Sequence, residues 1–183
     1  MAALASPARP SAFAVFRNRG FTLLWIAQLI STIGSALTSL VAGILVYRLT
    51  GSALSVGLML MSTAVPTLLV GLVAGVLVDR YDRKRIMVAA DLIRATLIIL
   101  VPFLLPYGIA WLYIVVLLSS AVAQFFDPAN ESLLPELATD AELAAANSLM
   151  AISSFGATAI GFAAAGLIAS RLPIEWAFYL DAL

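Results

Sequence analysis

The chain has no cysteine and no histidine among its 183 residues. Without cysteine it can form neither a disulfide nor a thiolate metal site. Without histidine it lacks imidazole metal ligands, a Ser-His-Asp triad and a histidine proton shuttle. Charge is also scarce: ten basic and ten acidic residues make up 11% of the chain and cancel to a net charge of zero. Such a balance gives nucleic acid no basic face to bind. No Gly-x-x-x-x-Gly-Lys-Ser/Thr run is present to cradle a nucleotide. An intramembrane enzyme would need a histidine, paired aspartates or a serine with a base. The nearest approach is Asp91 and Asp127, which lie on separate segments. The composition therefore points away from an enzyme, and no metal or cofactor is expected.

What is abundant is apolar. Hydrophobic residues form 63% of the chain, against about 45–50% in soluble domains. A soluble core of this size cannot absorb that excess and keep a polar skin, so the expected solvent is a lipid bilayer and the expected class is an all-α membrane protein. A spanning helix needs about 20 apolar residues. The sequence predicts spans over 21–47, 53–78, 86–105, 109–130 and 143–170, with a sixth, truncated, over 174–183. Residues 1–20 form a preceding segment with Arg9, Arg17 and Arg19. The uncharged run that follows exceeds the about 7–15 residues of a signal peptide, so it is expected to stay in the membrane. Breaks fall at Thr50 to Ser52, Pro106 to Gly108 and Arg171 to Pro173. Pro66 is expected to kink the second span, which neighbouring helices can accommodate.

Basic residues set the orientation. Arg9, Arg17, Arg19, Arg80, Arg83, Lys84 and Arg85 fall on one side, and Arg48 and Arg171 on the other. By the positive-inside rule the first set is cytoplasmic, which predicts a multi-pass protein of the cell membrane with its N-terminus inside. The loop over 127–142 then also lies inside. It carries five acids and no base, and acids contribute little to the rule.

Polar residues within the spans mark candidate sites. Asp91 and Arg94 are spaced i, i+3 and can face each other. They read either as a clasp near the cytoplasmic end, with Arg94 snorkelling, or as a cavity pair that senses protons or substrate. Gln28, Thr32, Ser35 and Ser39 share one helical face. Ser120, Gln124, Asp127 and Glu131 repeat that pattern on the fourth span, and the fifth offers Asn147, Ser154 and Thr158. These stripes read either as the lining of a wet path or as hydroxyls bonded to their own or a neighbouring helix. Gly71 with Gly75, and Gly161 with Ala165, are small-residue pairs suited to close helix packing.

The loop after the second span runs Gly75 to Arg85 and packs four cations with two acids between long apolar runs. Its order resembles the signature Gly-x-Leu-x-Asp-Arg-x-Gly-Arg-Lys/Arg of the major facilitator superfamily. Gly75, Leu77, Asp79, Arg80, Arg83 and Lys84 match, and Asp82 replaces the second glycine. Phe125 to Leu137, followed by Ala145 to Leu149, is similar to the fourth-to-fifth helix link of the enterobactin-exporter-like branch, which includes drug and macrolide efflux permeases. That family's antiporter signature is degraded here: Gly161 and Gly166 match, but Phe162 and Ala165 replace a proline and a glycine.

The resemblance implies the N-terminal six-helix bundle of a major facilitator, with five complete helices and a truncated sixth. It implies a secondary active transporter, an exporter of small molecules by alternating access, present as an N-terminal fragment whose partner is a missing C-terminal six-helix half. The alternative is a non-transporting scaffold or an inactive truncated product. The resemblance also implies a cytoplasmic latch between the halves that uses the loop charges, with Arg83 paired to Asp127.

Overall fold

The computed structural model describes residues 13–78 and 80–182. A 3-10 turn, Ala14–Arg17, leads into α1 (Arg19–Thr50), then α2 (Ala53–Val78), α3 (Arg83–Leu104), a 3-10 turn Leu105–Tyr107, α4 (Ala110–Ala123), α5 (Phe126–Leu137), α6 (Asp140–Arg171) and α7 (Glu175–Asp181). No strand occurs among the described residues. Five segments are long and apolar enough to cross a membrane, with α4 and α5 together making one of them. α1 and α6, at 32 residues each, are about 48 Å long at 1.5 Å per residue, longer than the about 30 Å hydrocarbon core.

The helix ends follow local chemistry. Gly51 stops α1 in the left-handed conformation (φ 63°), where its N–H donates to the Tyr47 carbonyl at 2.8 Å. Only glycine takes that φ at little cost. Asp82 caps α3: its carboxylate accepts from the Arg85 N–H at 2.9 Å. Its φ of −62° needs no glycine, so the departure from the family pattern supplies a cap without straining the turn. At the start of α6, Glu142 accepts from both the Thr139 hydroxyl (2.7 Å) and the Thr139 N–H (3.2 Å). α2 runs through Pro66 without interruption.

The fourth span departs from the sequence reading. It is not one helix over 109–130. α4 ends at Ala123, the chain turns through Gln124 and Phe125, and α5 continues to Leu137. Pro128 supplies the reason: it has no N–H for the carbonyl four residues back, and its ring clashes with that carbonyl. Gln124 and Phe125 tighten instead onto Ala121 and Val122, three residues back. Pro128 then sits in the first turn of α5, where a missing N–H costs nothing.

Helix directions follow from paired residues. α1 and α6 run the same way: Trp25 Nε1 donates to Ser153 Oγ (2.8 Å), Gly161 meets Ile33 to Leu37, and Arg48 donates to the Ala169 carbonyl (2.7 Å). This is the most extensive helix pair in the bundle. α2 lies along α4, tied by Tyr113 OH donating to the Ser55 carbonyl at 2.9 Å. α3 packs on α4, α5 and α7. Gly161 and Ala165 both face inward, whereas a side chain at Gly75 would meet nothing within 4 Å.

Two apolar clusters hold the bundle at its two ends. One joins Val41, Leu45 and Val46 of α1 to Val101, Leu112, Ile168 and Phe178. The other joins Val15, Phe21 and Leu24 to Met87, Phe126, Leu134 and Met150. Between them α1 carries its polar stretch. The outer surface is apolar as well, with Leu54, Leu68, Ile152 and Phe155 each at least 70% exposed. Water would not tolerate a continuous patch of that kind, but lipid accepts it.

Candidate functional site: a polar cavity between two apolar plugs

Gln28, Thr32, Ser35 and Ser39 of α1 line a cavity of about 320 Å³ together with Ser120 and Gln124. Ser31, Thr38, Thr63, Ser119, Arg94 and Asp181 complete its polar wall, and Ile98, Val116, Ala123 and Phe126 its apolar one. The 100° step between helical residues puts the α1 stripe on one side, and the turn at Gln124 brings the end of α4 against it. Gln124 donates to the Ser120 carbonyl at 3.1 Å, and Gln28 accepts from Asn130 at 3.3 Å.

Arg94 is the one cation in this wall among the described residues. It lies eleven residues into α3, about 16 Å along the helix from Arg83. Its side chain is 14% exposed. One Nη donates to Ser31 Oγ at 3.2 Å and the other to Ser35 Oγ. Asp91, one turn back, is 3.7 Å away. The guanidinium therefore turns inward onto α1 and does not snorkel along its own helix. Hydroxyls can accept these bonds without adding charge, so Ser31 and Ser35 tie α3 to α1.

Asp181 of α7 faces Arg94 and Asp91 from the other side and approaches the Thr38 hydroxyl. It fits because α1 has glycine at position 34: a Cβ there would collide with the Asp181 carboxylate and come within 3.3 Å of its Cα. A second cavity, about 740 Å³, opens between α1, α3 and α7 and is lined by Asp91, Arg94, Asp181 and mainly aliphatic residues. Arg94 and Asp181 thus form the partition between two chambers.

Asn147, Ser154 and Thr158 do not reach either chamber. Asn147 is exposed, and Thr158 donates to the Ser154 carbonyl at 2.8 Å, which is the backbone-bonding alternative for such hydroxyls. The polar lining residues not singled out from sequence are Ser31, Thr38, Thr63, Ser119 and Asp181. Asp181 is visible, with Glu175, as one of two acids in the last apolar segment, but that segment is too short to assign a face.

The charged loop lies at the Arg83 end of the bundle. Arg83 pairs with Glu136 of α5 and donates to the Ser132 carbonyl at 3.0 Å. At the same end Asn18 donates to the Leu137 carbonyl at 2.7 Å, so the last turn of α5 is held from two sides. Arg80 and Lys84 are exposed. Asp79 lies outside the described residues, as do the side chains of Leu77 and Asp127. Glu136 is therefore the described partner of Arg83.

Residues 10–183 match the family described as transmembrane secretion effector. The chain is 33% identical over 171 residues to the uncharacterized MFS-type transporter YfiS of Bacillus subtilis, covering 92% of this chain and 40% of that protein. It is 32% identical over 126 residues to macrolide efflux protein A of Streptococcus pyogenes, covering 67% of this chain and 31% of that protein. To the multidrug efflux pump Tap of Mycolicibacterium fortuitum it is 34% identical over 122 residues, covering 63% and 30%. No solved structure matches. The chain spans about two fifths of the length of the first of these relatives. Five membrane-length helices, four of which line a polar cavity, and a family match over nearly the whole chain, agree: this chain belongs to the transmembrane secretion effector family of major facilitator transporters.

Proposed function

We propose that this chain forms the N-terminal bundle of a secondary active exporter of small molecules. The observation that carries the reading is the cavity walled by hydroxyls, amides, one arginine and one aspartate, with an apolar cluster toward each end of the bundle. Polar groups inside a bilayer are costly and mark solute or ion pathways. Substrate sites of such carriers lie near midplane, between bundles that rock against each other. Two relatives named as efflux proteins support the outward direction. Because the chain spans 40% of its first relative, transport is assigned to a longer protein in which a second bundle completes the cavity. The N-terminus and the Arg83 end face the cytoplasm, as the basic residues favour. The test is dye and drug accumulation in cells expressing the longer protein. Lower accumulation than in control cells is expected, and unchanged accumulation across a broad panel would refute export.

The loop charges serve as a latch in this scheme. Asp79 meets a helix N-terminus of the second bundle, where the dipole favours an anion, while Arg83 and Glu136 brace the loop against α5. Asp79→Asn in the longer protein is expected to insert and express normally yet transport at least tenfold more slowly. Transport at the unmodified rate would remove the latch.

A further inference from the structure

We propose that Lys84 and Arg85 form a docking site for the phosphodiester of an anionic phospholipid on the outer face of α3. The proposal goes beyond the transporter reading and does not depend on it.

α3 has two unlike faces. The inward one runs Arg83, Met87, Ala90, Arg94, Ile98 and Val101, at helical spacing. Its four apolar members are buried. Both its cations have partners: Arg83 holds Glu136, and Arg94 holds Ser31, Ser35 and Asp91. The outward face runs Arg85, Val88, Leu92, Ile99 and Phe103, with Lys84 beside it. Its four apolar members are each at least 42% exposed, a surface suited to acyl chains. Lys84 and Arg85 are exposed where that surface ends. Neither side chain has a hydrogen bond or an ion pair among the described residues.

This end of α3 attracts an anion. Arg83, Lys84 and Arg85 fill a first turn that holds no acid, where the helix dipole is already positive and disfavours cations. Asp82 beside them is turned to the Arg85 N–H as the cap, and Glu136 is taken by Arg83. Helical side chains lean toward the N-terminus of their helix. Lys84 and Arg85 therefore reach toward the membrane surface, with their alkyl stems in the apolar layer and their charges at headgroup level. Tyr81, 66% exposed, adds an amphipathic ring of the kind favoured at that level. The anion supplied there by the bilayer is lipid phosphate, and the guanidinium fork of Arg85 matches two of its oxygens. Arg85 lies outside the loop signature, so the latch does not account for it.

The experiment is native mass spectrometry of the purified chain released from detergent micelles. It is titrated with phosphatidylglycerol or with phosphatidylcholine of the same acyl chains. Phosphatidylglycerol is expected to bind at least tenfold more tightly. In the double variant Lys84→Gln with Arg85→Gln the two lipids should bind within about threefold of each other. Lys84→Arg with Arg85→Lys should keep the preference, which separates lost charge from lost fold. Arg171→Gln, at an exposed cation of the opposite end, should keep it too. Near-equal affinities in the unmodified chain, or a tenfold preference surviving in the double glutamine variant, would overturn the proposal. Inorganic phosphate at about 10 mM should leave the lipid bound, and displacement would assign the site to a free anion instead. Accumulation assays fail independently: unchanged accumulation would refute export and leave this site standing.

Discussion

Gly161→Leu should prevent α1 and α6 from assembling, and Gly161→Ala should lower the stability of the bundle by about 1–3 kcal/mol, the usual range for overpacking a tight interior. A Cβ at position 161 would lie 2.5 Å from the Ile33 carbonyl oxygen, 2.7 Å from the Ala36 Cβ and 3.2 Å from the Leu37 nitrogen. Two of these atoms are backbone, so relief requires one helix to move. That movement would stretch the bonds on either side, from Trp25 to Ser153 and from Arg48 to Ala169. Gly166→Ala is the control, since a Cβ there meets nothing within 4 Å. Thermal unfolding in detergent, followed by circular dichroism, measures both. Equal melting temperatures for Gly161→Ala and Gly166→Ala would mean that the helices do not cross closely at this point. Both glycines match the family's antiporter signature, yet only Gly161 is needed for packing. Conformational freedom explains neither, because neither takes a positive φ.

Arg94→Met should destabilise the bundle by about 2 kcal/mol, within the range for leaving buried polar groups unsatisfied. The substitution removes the donors that tie α3 to Ser31 and Ser35 and strands Asp91 within the membrane. The Asp91 side chain is 43% exposed, so the pair itself contributes only part of that figure. Adding Asp91→Asn should recover stability by removing the stranded charge, whereas Asp91→Asn alone should cost less than Arg94→Met. Arg94→Lys should fall between, because one ammonium cannot reach two hydroxyls with the geometry of a guanidinium. Chemical unfolding in mixed micelles gives these differences. A double variant no more stable than Arg94→Met alone would show that Asp91 and Arg94 are uncoupled.

The legible parts of this fold are those where one physical force dominates. Length and apolar content fix the spans, since little else explains a 63% hydrophobic chain. The α1 stripe was legible because four polar residues at helical spacing stand out in an apolar run. Asn147, Ser154 and Thr158 show the limit of that signal. Periodicity names a face but not what the face meets, and α6 turns those residues away from the cavity. The break at Gln124 was written in Pro128, but the apolar run across it masked the proline. Arg83 was matched to Asp127 through resemblance, while its described partner is Glu136 at the far end of α5. That pairing depends on how α5 lies across the start of α3, which no spacing along the chain encodes. Asp181 depends on two distant features, a glycine on α1 and a committed arginine on α3.

Cysteine accessibility tests the central claim most directly, because the chain has no native cysteine to remove. Lys84→Cys and Tyr107→Cys place single thiols at exposed positions on either side of α3. In intact cells a membrane-impermeant maleimide should label the thiol at 107 and spare the thiol at 84, which should react only after the membrane is opened. Labelling of the thiol at 84 from outside, or equal labelling of both positions, would contradict a bundle that crosses the bilayer with its arginine-rich loop inside.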